Sequence, residues 1–326
     1  MKKIVLILLR NLSDEDRKFV IGKIGEYAEI YFQDDIEPYD KAVKEAEVAL
    51  VSTARSEKTR EILANAKNLK FIQSILAGVD NLPYNLLPKD IMISSNAGAN
   101  AEEVAEFAIA LTLAATKKIV LFDRWMRRGI WRNDTPQLIR DAIIMILGYG
   151  NIGREIAKRL RAFKPRKLIG VNRRGYKDEY IDDVIKPDKI RDVIGSVDIL
   201  ISTLPLTKET KDFIDKDILS RMKKNAVLVN VGRGPVIIEE DLYRHLEENQ
   251  GFTAAIDVWW RYPSKKGEET YQETPLHKLD NIIMTPHMAG GWSGFRRKLL
   301  DYALDNVKRY LKGENVENII RIEDYI

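Results

Sequence analysis

The chain has 326 residues, which is enough for two domains of ordinary size, and 45% of them are hydrophobic, which argues against disorder. It contains no cysteine and three histidines, so disulfide bonds and thiolate metal sites are excluded and no metal site is predicted. The 53 basic and 49 acidic residues are interspersed and give a net charge of +4. This pattern indicates a charged surface without a nucleic-acid footprint.

The N-terminal run MKKIVLILLR resembles a signal peptide in composition only. It is followed by the acidic stretch NLSDEDRKFV and not by small residues at a cleavage site. We therefore interpret it as a buried strand. No stretch reaches the roughly 18 consecutive apolar residues of a membrane span. We expect a cytoplasmic protein with no membrane partner.

Residues 1–95 alternate short β-branched runs with helical ones. The strand-like runs are KIVLILL, EIYF, AEVALVST and KFIQSI, and a helix is predicted to begin near Ser13. A second series of strand-like runs begins at Ile143 with IIMILG and continues through KLIGVN, VDILIST, AVLVNVG, FTAAIDV and NIIMTP. This βαβ alternation predicts an α/β protein with two doubly wound parallel-sheet units, Rossmann-like or flavodoxin-like.

Two further helices are predicted outside these series. The segment Ala101–Lys118 is rich in alanine and apolar on more than one face, which favours burial between domains or between subunits. The segment Ser293–Lys312 is amphipathic. Because chain ends often return to the first domain, we expect this last helix to pack there.

The sharpest local motif has glycine at Gly148, Gly150 and Gly153, with Asn151 and Ile152 between the last two. It follows an apolar run and opens a helical segment, which is the context of a dinucleotide-binding turn. The first glycine permits the turn, the second allows backbone to approach a pyrophosphate, and the third allows close packing of helix on strand. The helix N-terminus favours the phosphate charge.

The end of the next strand indicates which dinucleotide is bound. An NAD site has a carboxylate here for the adenosine ribose, whereas this chain has Asn172, Arg173 and Arg174. Two guanidinium groups can pair with a 2′-phosphate. The sequence therefore favours NADP, with NAD as the alternative; the competing interpretation is a pair of solvated arginines.

Seven segments together resemble the D-isomer-specific 2-hydroxy-acid dehydrogenases in order and spacing. The resemblance spans most of the chain and rests on AGVDNL, NAGANAEEVAEFAIAL, GYGNIGREIAKRL, STLPLTKET, MKKNAVLVNVGRG, AAIDV and TPHMAGG. It implies a discontinuous substrate (catalytic) domain of residues 1–98 and 288–326 and a dinucleotide-binding domain of residues 99–287. It also implies a homodimer formed through the Ala101–Lys118 helix.

The same resemblance implies which side chains perform the chemistry. Arg233 matches the family's catalytic arginine, whose planar fork can hold a carboxylate and a carbonyl together. His287 matches the proton donor, a role suited to imidazole because its ordinary pKa lies near neutral pH. His245 and His277 lie outside the matching segments and are interpreted as structural or exposed.

Further family positions are expected to contact substrate or cofactor. Backbone N–H groups around Gly78 should meet the substrate carboxylate, from the run Leu76, Ala77, Gly78 and Val79. Asp257 matches a residue near the nicotinamide carboxamide, and Pro205 matches one that borders the adenosine. Both are equally well explained as ordinary residues at strand ends.

The chain departs from the family pattern at one position. A glutamate normally follows the Asp-Val pair and hydrogen-bonds the catalytic histidine, but Tyr262 occupies that position here. The following loop is longer than usual and carries Glu268, Glu269 and Glu273, any of which is a candidate substitute. Without a carboxylate partner, the proton-donor form of His287 should be lost at lower pH.

These features predict an NAD(P)-dependent oxidoreductase that transfers a hydride between nicotinamide and a small 2-oxo or D-2-hydroxy acid. Glyoxylate or hydroxypyruvate reduction is favoured. Phosphoglycerate dehydrogenase is the alternative enzyme, although many carry an extra regulatory domain, and formate dehydrogenase is disfavoured by Tyr262 and the substrate loop. A catalytically weak, dinucleotide-sensing binding protein of the same fold is the alternative from another class.

Overall fold

The computed structural model describes residues 2–52, 56–263 and 272–325. The chain divides into two compact units, one formed by Met1–Asn100 with Trp292–Ile326 and the other by Ala101–Gly291. Each unit contains one parallel sheet covered by helices. The predicted fold class, two parallel-sheet α/β units of which one is discontinuous, is confirmed. None of the described helices combines the length and apolar composition needed to cross a membrane.

The first unit has a five-stranded sheet with the order β2-β1-β3-β4-β5. Its elements are β1 (Lys3–Leu8), α1 (Asp14–Ile24), β2 (Ala28–Phe32), α2 (Lys41–Glu45), β3 (Val48–Val51), α3 (Glu57–Asn65), β4 (Phe71–Ser74), β5 (Met92–Ser94) and the last helix of the chain, Phe295–Lys312. Alternate residues of β1 serve two cores. Val5 and Ile7 contact the layer of α1 and the last helix, while Leu6 and Leu8 contact the layer of α2 and α3.

The second unit has a seven-stranded sheet with the order β12-β11-β10-β9-β6-β7-β8. Its elements are α4 (Ala101–Thr116), α5 (Ile119–Arg127), β6 (Ile143–Leu147), α6 (Asn151–Leu160), β7 (Lys167–Val171), β8 (Asp183–Ile185), α7 (Ile190–Val193), β9 (Ile199–Ser202), α8 (Lys216–Arg221), β10 (Val227–Asn230), α9 (Glu239–Glu248), β11 (Thr253–Ile256) and β12 (Ile282–Met284); the last helix of the first unit is α10. The central strands are buried throughout because helices cover both faces.

Each sheet has one point where the strand order reverses. In the first unit it lies between β1 and β3, and in the second between β6 and β9. Ligands of open α/β sheets bind outside the carboxyl ends of the strands at such points. The topology therefore predicts one ligand region in each unit.

The helix predicted at Ala101–Lys118 is interrupted earlier than expected. It ends at Thr116, and Lys118 has a φ of +54°, a left-handed conformation that separates α4 from α5. Within its unit, α4 packs against α6, β10 and β11. Its apolar character is therefore explained largely by burial inside its own unit.

Candidate active site

The glycine-rich turn begins where β6 ends. Gly148 has a φ of +100°, which suits glycine, and a methyl group on Gly153 would lie 2.6 Å from the Gly148 carbonyl oxygen. A methyl group on Gly150, in contrast, would meet no atom within 4 Å. The turn thus has two glycines required by its own packing and one, Gly150, that leaves open space before the N-terminus of α6.

The neighbouring strand across the switch point supports this turn. The Thr203 hydroxyl, just after β9, donates a 2.7 Å hydrogen bond to the Gly148 carbonyl, and the Thr203 amide donates to the Leu147 carbonyl at 2.9 Å. Pro205 follows on the exposed surface, where its carbonyl accepts from the Thr210 hydroxyl. Sequence reasoning missed Thr203, because its hydrogen-bond partner is distant in the chain.

A buried carboxylate fixes the outer side of the glycine turn. The Tyr149 hydroxyl donates to Asp178 at 2.6 Å and the Arg154 guanidinium donates to it at 2.7 Å. Burial opposes ionisation of Asp178, but these hydrogen bonds prevail and lower its pKa. Burial and the Asp178 carboxylate raise the pKa of Tyr149 far above its usual range. The pair therefore holds its hydrogen bond at neutral pH.

The three residues proposed to select NADP differ in their surroundings. The Asn172 amide closes its own turn, since its Nδ2 donates to the Tyr176 carbonyl and its Oδ1 accepts from the Tyr176 amide. Arg173 pairs with Glu209 at 3.0 Å on the surface. Arg174 is exposed and makes no ion pair with any residue the structure describes. Arg174 is therefore the most available cation at this strand end.

Arg233 lies on a tightly held loop after β10. Methyl groups on the flanking glycines would collide with neighbouring backbone, 2.4 Å from the Leu204 carbonyl oxygen at Gly232 and 2.3 Å from the Trp259 carbonyl carbon at Gly234. The Asn230 side chain closes the loop by donating to the Arg233 carbonyl and accepting from the Gly232 amide. The Arg233 backbone is thus held between the loops that follow β9 and β11.

His287 lies on the loop after β12 and has a φ of +58°, which is unusual for a residue with a side chain. This loop is held by Asp257, which is completely buried at the end of β11. The Asp257 carboxylate accepts hydrogen bonds from the Thr285 hydroxyl at 2.6 Å and from the amides of Met288 and Ala289, both at 2.9 Å. The sequence resemblance suggested a cofactor contact for Asp257, whereas the hydrogen bonds that its carboxylate makes with described residues all support the His287 loop.

Tyr262 lies beside His287. Their ring centroids are 5.3 Å apart and the ring planes are inclined by 41°. The Tyr262 hydroxyl accepts a hydrogen bond from the Trp259 amide at 3.1 Å, and the Trp259 indole donates to the Thr285 carbonyl at 2.9 Å. Tyr262 therefore occupies the expected position next to the histidine and also holds the turn after β11.

Of the three candidate substitute carboxylates, Glu273 lies among the described residues. Glu273 forms an ion pair with Arg261, and both side chains are at least half exposed. Glu268 and Glu269 lie outside the described residues. Glu273 is therefore paired with Arg261. Tyr262, which replaces the glutamate of the family pattern, has its ring beside that of His287.

The first unit has its own group of backbone amides after β4. The Leu76 amide is already used, because it donates to the Ser74 hydroxyl at 3.0 Å. The amides of Ala77, Gly78 and Val79 have no hydrogen-bond partner among the residues that the structure describes. The expected carboxylate-binding amides are thus reduced to these three, and the prediction for Leu76 is corrected.

The aromatic residues near these loops have distinct environments. Trp259 belongs to the hydrophobic core of the second unit and Trp260 packs against that core, with its indole donating to the Ile237 carbonyl. Trp131 and Trp292 are exposed. Among the described residues, no three His, Asp or Glu side chains are grouped so that they could hold a metal ion.

The second unit fits a dinucleotide. The open space next to Gly150, before α6, lies where a dinucleotide-binding turn holds the pyrophosphate. The N-terminus of α6 supplies N–H groups and the positive end of the helix dipole. Arg174 and Arg173 provide positive charge at the end of β7, where the adenosine ribose is expected. The open space at Gly150 and the positive charge at the end of β7 therefore agree with the dinucleotide-binding glycine motif.

Comparison with known proteins agrees with this geometry. Residues 109–289 match the family model described as D-isomer specific 2-hydroxyacid dehydrogenase, NAD binding domain. A glyoxylate reductase from Thermofilum pendens is 31% identical over 78% of this chain and 75% of its own length. A D-3-phosphoglycerate dehydrogenase from Methanocaldococcus jannaschii is 30% identical over 98% of this chain, which spans only 60% of that enzyme.

Solved structures give the same result. A candidate formate dehydrogenase from Pyrobaculum aerophilum is 31% identical, with a TM-score of 0.84 and complete coverage of both chains. An acyclic imino acid reductase in complex with NADPH and D-Arg is 27% identical, with a TM-score of 0.77 over 98% of this chain and 100% of its own. By sequence and by fold, the chain belongs to the D-isomer specific 2-hydroxyacid dehydrogenase family, whose members are NAD(P)-dependent oxidoreductases.

Proposed function

We propose that this protein reduces a small 2-oxo acid to the D-2-hydroxy acid, with NADPH preferred over NADH, as a reductase of the glyoxylate or hydroxypyruvate kind. The observation that carries the proposal is the pair of loops bearing Arg233 and His287. They follow β10 and β12, on either side of β11, the strand that Asp257 directly follows. Two strand spacings amount to about 10 Å, a separation that two side chains can bridge around one small molecule.

Arg233 holds the substrate and stabilises its developing charge. Its guanidinium carries several N–H donors in one plane, so it can bind a carboxylate oxygen and the carbonyl oxygen at once. The Gly232 and Gly234 contacts fix the loop backbone before substrate arrives. Such preorganisation lowers the cost of placing positive charge against the oxygen that becomes an alkoxide.

His287 delivers the proton to that oxygen. Imidazole exchanges a proton near neutral pH, which suits both directions of the reaction. The Asp257 hydrogen bonds to the amides of Met288 and Ala289 hold the loop that presents the ring. Tyr262 restricts the ring from one side. The sequence resemblance assigns the substrate carboxylate to the amides of Ala77, Gly78 and Val79 of the first unit, which have no hydrogen-bond partner among the described residues.

The dinucleotide, when bound, supplies the hydride. The residues proposed to hold it are Gly150, Asn151 and Ile152 at the pyrophosphate and Arg173 and Arg174 at the 2′-phosphate, with Pro205 beside the adenosine. The complex of the related imino acid reductase with NADPH supports the preference for the phosphorylated cofactor. We accordingly propose that the second unit is the dinucleotide-binding domain and the discontinuous first unit the substrate domain.

A turnover assay tests the proposal directly. The purified protein is mixed with NADPH and either glyoxylate or hydroxypyruvate, and the loss of NADPH absorbance and the D-2-hydroxy acid formed are measured. Dinucleotide binding without turnover of any 2-oxo acid would identify a sensor instead. A clear preference for the phosphorylated analogue of hydroxypyruvate would favour the phosphoglycerate dehydrogenase alternative, which the 30% identical relative supports.

We also propose that the protein is a homodimer. Beyond α4, the segment 119–138 carries several exposed apolar side chains, including Trp131, which is 89% exposed, and Ile119, Met126, Ile130 and Leu138. Exposed apolar residues so close in sequence are typical of an interface. Light scattering of the protein and of Trp131→Asp tests this surface. The cytoplasmic location expected from the sequence stays a prediction.

A further inference from the structure

One ion pair joins the loops on either side of the glycine turn. Arg173 lies just after β7 and Glu209 lies in the segment after β9, and Nη1 of the arginine is 3.0 Å from Oε2 of the glutamate. In the sheet, β6 runs between β7 and β9. Because β6 ends at the glycine turn, the pair connects the two loops that border the proposed dinucleotide site.

Both loops are closed by local hydrogen bonds. The Asn172 side chain closes the turn that carries Arg173, by donating one hydrogen bond and accepting another within that turn. In the other loop, the Thr210 hydroxyl accepts from the Thr207 amide at 2.8 Å and closes the turn that carries Glu209. The positive and the negative side chain therefore meet from loops whose backbone is held independently of their pairing.

A 2′-phosphate at Arg173 would have to share the guanidinium with Glu209. A phosphate monoester carries a charge of about −1.5 to −2 at neutral pH. A guanidinium has enough N–H donors for two anions, but two anions held by one guanidinium lie close together and repel each other. The hydroxyl of an unphosphorylated ribose is uncharged and meets no such repulsion. Glu209 therefore opposes a phosphorylated dinucleotide more than an unphosphorylated one.

The two arginines proposed for the 2′-phosphate differ in this respect. Arg173 is held by a carboxylate, whereas Arg174 is exposed and makes no ion pair with any residue the structure describes. The side chains of Arg173 and Glu209 are 55% and 66% exposed. Ion pairs this exposed contribute little to folding stability. The charge of Glu209 can therefore be changed without unfolding the protein.

We infer that Glu209 is a specificity-determining residue, which competes with the 2′-phosphate for Arg173 and so lowers the affinity for NADPH relative to NADH. The inference rests on the proposed dinucleotide site and names a group that opposes the phosphorylated cofactor there. Removing the carboxylate should increase the affinity for that cofactor. Damage to the loop would not produce such a gain.

Two fragments of the cofactors isolate the 2′-phosphate. Adenosine 2′,5′-bisphosphate and adenosine 5′-monophosphate differ only in that group, and isothermal titration at low ionic strength gives both Kd values. In Glu209→Gln, the preference for the bisphosphate should rise about 3- to 10-fold, the range expected when one nearby like charge is removed in water. In Glu209→Lys it should rise further. An unchanged or smaller preference in both variants would overturn the inference.

Glu45→Gln is the matched control. Glu45 is also half exposed and paired, with Lys41 at 3.6 Å in the first unit, and its substitution changes the net charge by the same amount. It should leave the preference between the fragments unchanged. An equal gain in Glu45→Gln would show that net charge, and not the pair with Arg173, causes the effect.

Salt tests the electrostatic origin of the gain. Raising NaCl from about 50 mM to about 500 mM shortens the range of charge interactions, so the gain in Glu209→Gln should shrink. A gain that is insensitive to salt would contradict the competition for Arg173. Thermal unfolding of Glu209→Gln should match that of the unmodified protein.

Failure of the inference can be told apart from failure of the proposed function, because fragment binding does not depend on turnover. If the unmodified protein binds both fragments equally and Glu209→Gln prefers the bisphosphate, the proposed NADPH preference fails and the inference stands. If the unmodified protein prefers the bisphosphate and neither variant strengthens that preference, the role of Glu209 is rejected and the NADPH preference stands. Binding of neither fragment to any of these proteins would overturn both.

Discussion

The ring of Tyr262 lies 5.3 Å from the ring of His287, where other family members are expected to have a glutamate. A carboxylate at this position stabilises the imidazolium by its charge, which a neutral phenol does not do. Tyrosine in place of glutamate keeps a side chain beside the histidine but removes the negative charge that would stabilise the imidazolium. We therefore expect it to change the pH range over which the protein catalyses reduction.

Tyr262→Glu should extend reduction to higher pH. The added carboxylate favours the protonated histidine, so the proton donor persists further into the alkaline range and the alkaline limb of the kcat/KM profile moves up. Tyr262→Phe is the matched control, because it keeps the ring and removes only the hydroxyl that accepts from the Trp259 amide. A profile that stays in place in Tyr262→Glu would show that another group sets the protonation state of His287.

Asp257→Asn should damage both stability and catalysis. Its carboxylate accepts from the Thr285 hydroxyl and from the amides of Met288 and Ala289, and an amide in its place offers one acceptor oxygen only. Leaving a buried donor unpaired costs about 1–3 kcal/mol of unfolding free energy, measurable by urea denaturation. We expect kcat to fall as well, because the His287 loop loses its anchor.

Asp188→Asn is the control for this change, since Asp188 is exposed and its carboxylate makes no hydrogen bond or ion pair with the described residues. It should match the unmodified protein in both measurements. A fully stable, fully active Asp257→Asn protein would mean that the carboxylate does not hold the loop.

Gly150→Ala and Gly153→Ala should separate cofactor binding from folding. A methyl group on Gly150 meets no protein atom within 4 Å, so this variant should unfold at the same temperature as the unmodified protein but bind NADPH more weakly. A methyl group on Gly153 lies 2.6 Å from the Gly148 carbonyl oxygen, so that variant should lose stability. Gly22→Ala, at an open position on α1, should be neutral or stabilising. Unchanged NADPH affinity in Gly150→Ala would argue against a dinucleotide at this turn.

Arg174→Gln should weaken NADPH binding more than NADH binding. Arg174 is exposed and makes no ion pair with the described residues, whereas Arg173 is partly neutralised by Glu209. The variant loses one charge-assisted contact to the 2′-phosphate of NADPH. NADH lacks this phosphate, so its binding should change little. Isothermal titration with both cofactors measures the difference. Tighter binding of NADH than of NADPH by the unmodified protein would reject the proposed preference. Asn172 is not substituted in this experiment, because its side chain closes its own turn.

Arg233→Lys should lose about 10²- to 10³-fold in rate, the usual effect of removing one preorganised charge-stabilising contact. Lysine keeps the charge but not the planar fork. The loop should remain intact, because Asn230 and the flanking glycines hold its backbone. Steady-state kinetics with glyoxylate measures the loss. A variant within a few-fold of the original kcat/KM would assign catalysis to another residue.

Local sequence patterns were sufficient for the fold class. The strand-like runs at Ile143 and beyond became the parallel strands of the second unit, and the glycine motif is placed at the end of β6. These features depend on neighbours in the chain, so hydrophobic periodicity and glycine spacing report them. The early end of the helix at Thr116 was missed, because the left-handed residue Lys118 has no signature in its composition.

The tertiary structure decided which groups remain available for chemistry. The Leu76 amide is taken by Ser74, the Asn172 amide by its own turn and the Asp257 carboxylate by the His287 loop. Gln33, which no motif indicated, lines a cavity of the first unit and keeps a buried oxygen that accepts no hydrogen bond from the residues the structure describes. The sequence determined the residue types and the order of the elements. Whether a polar group is satisfied or free depends on atoms brought together from distant parts of the chain, and only the folded arrangement determines those contacts.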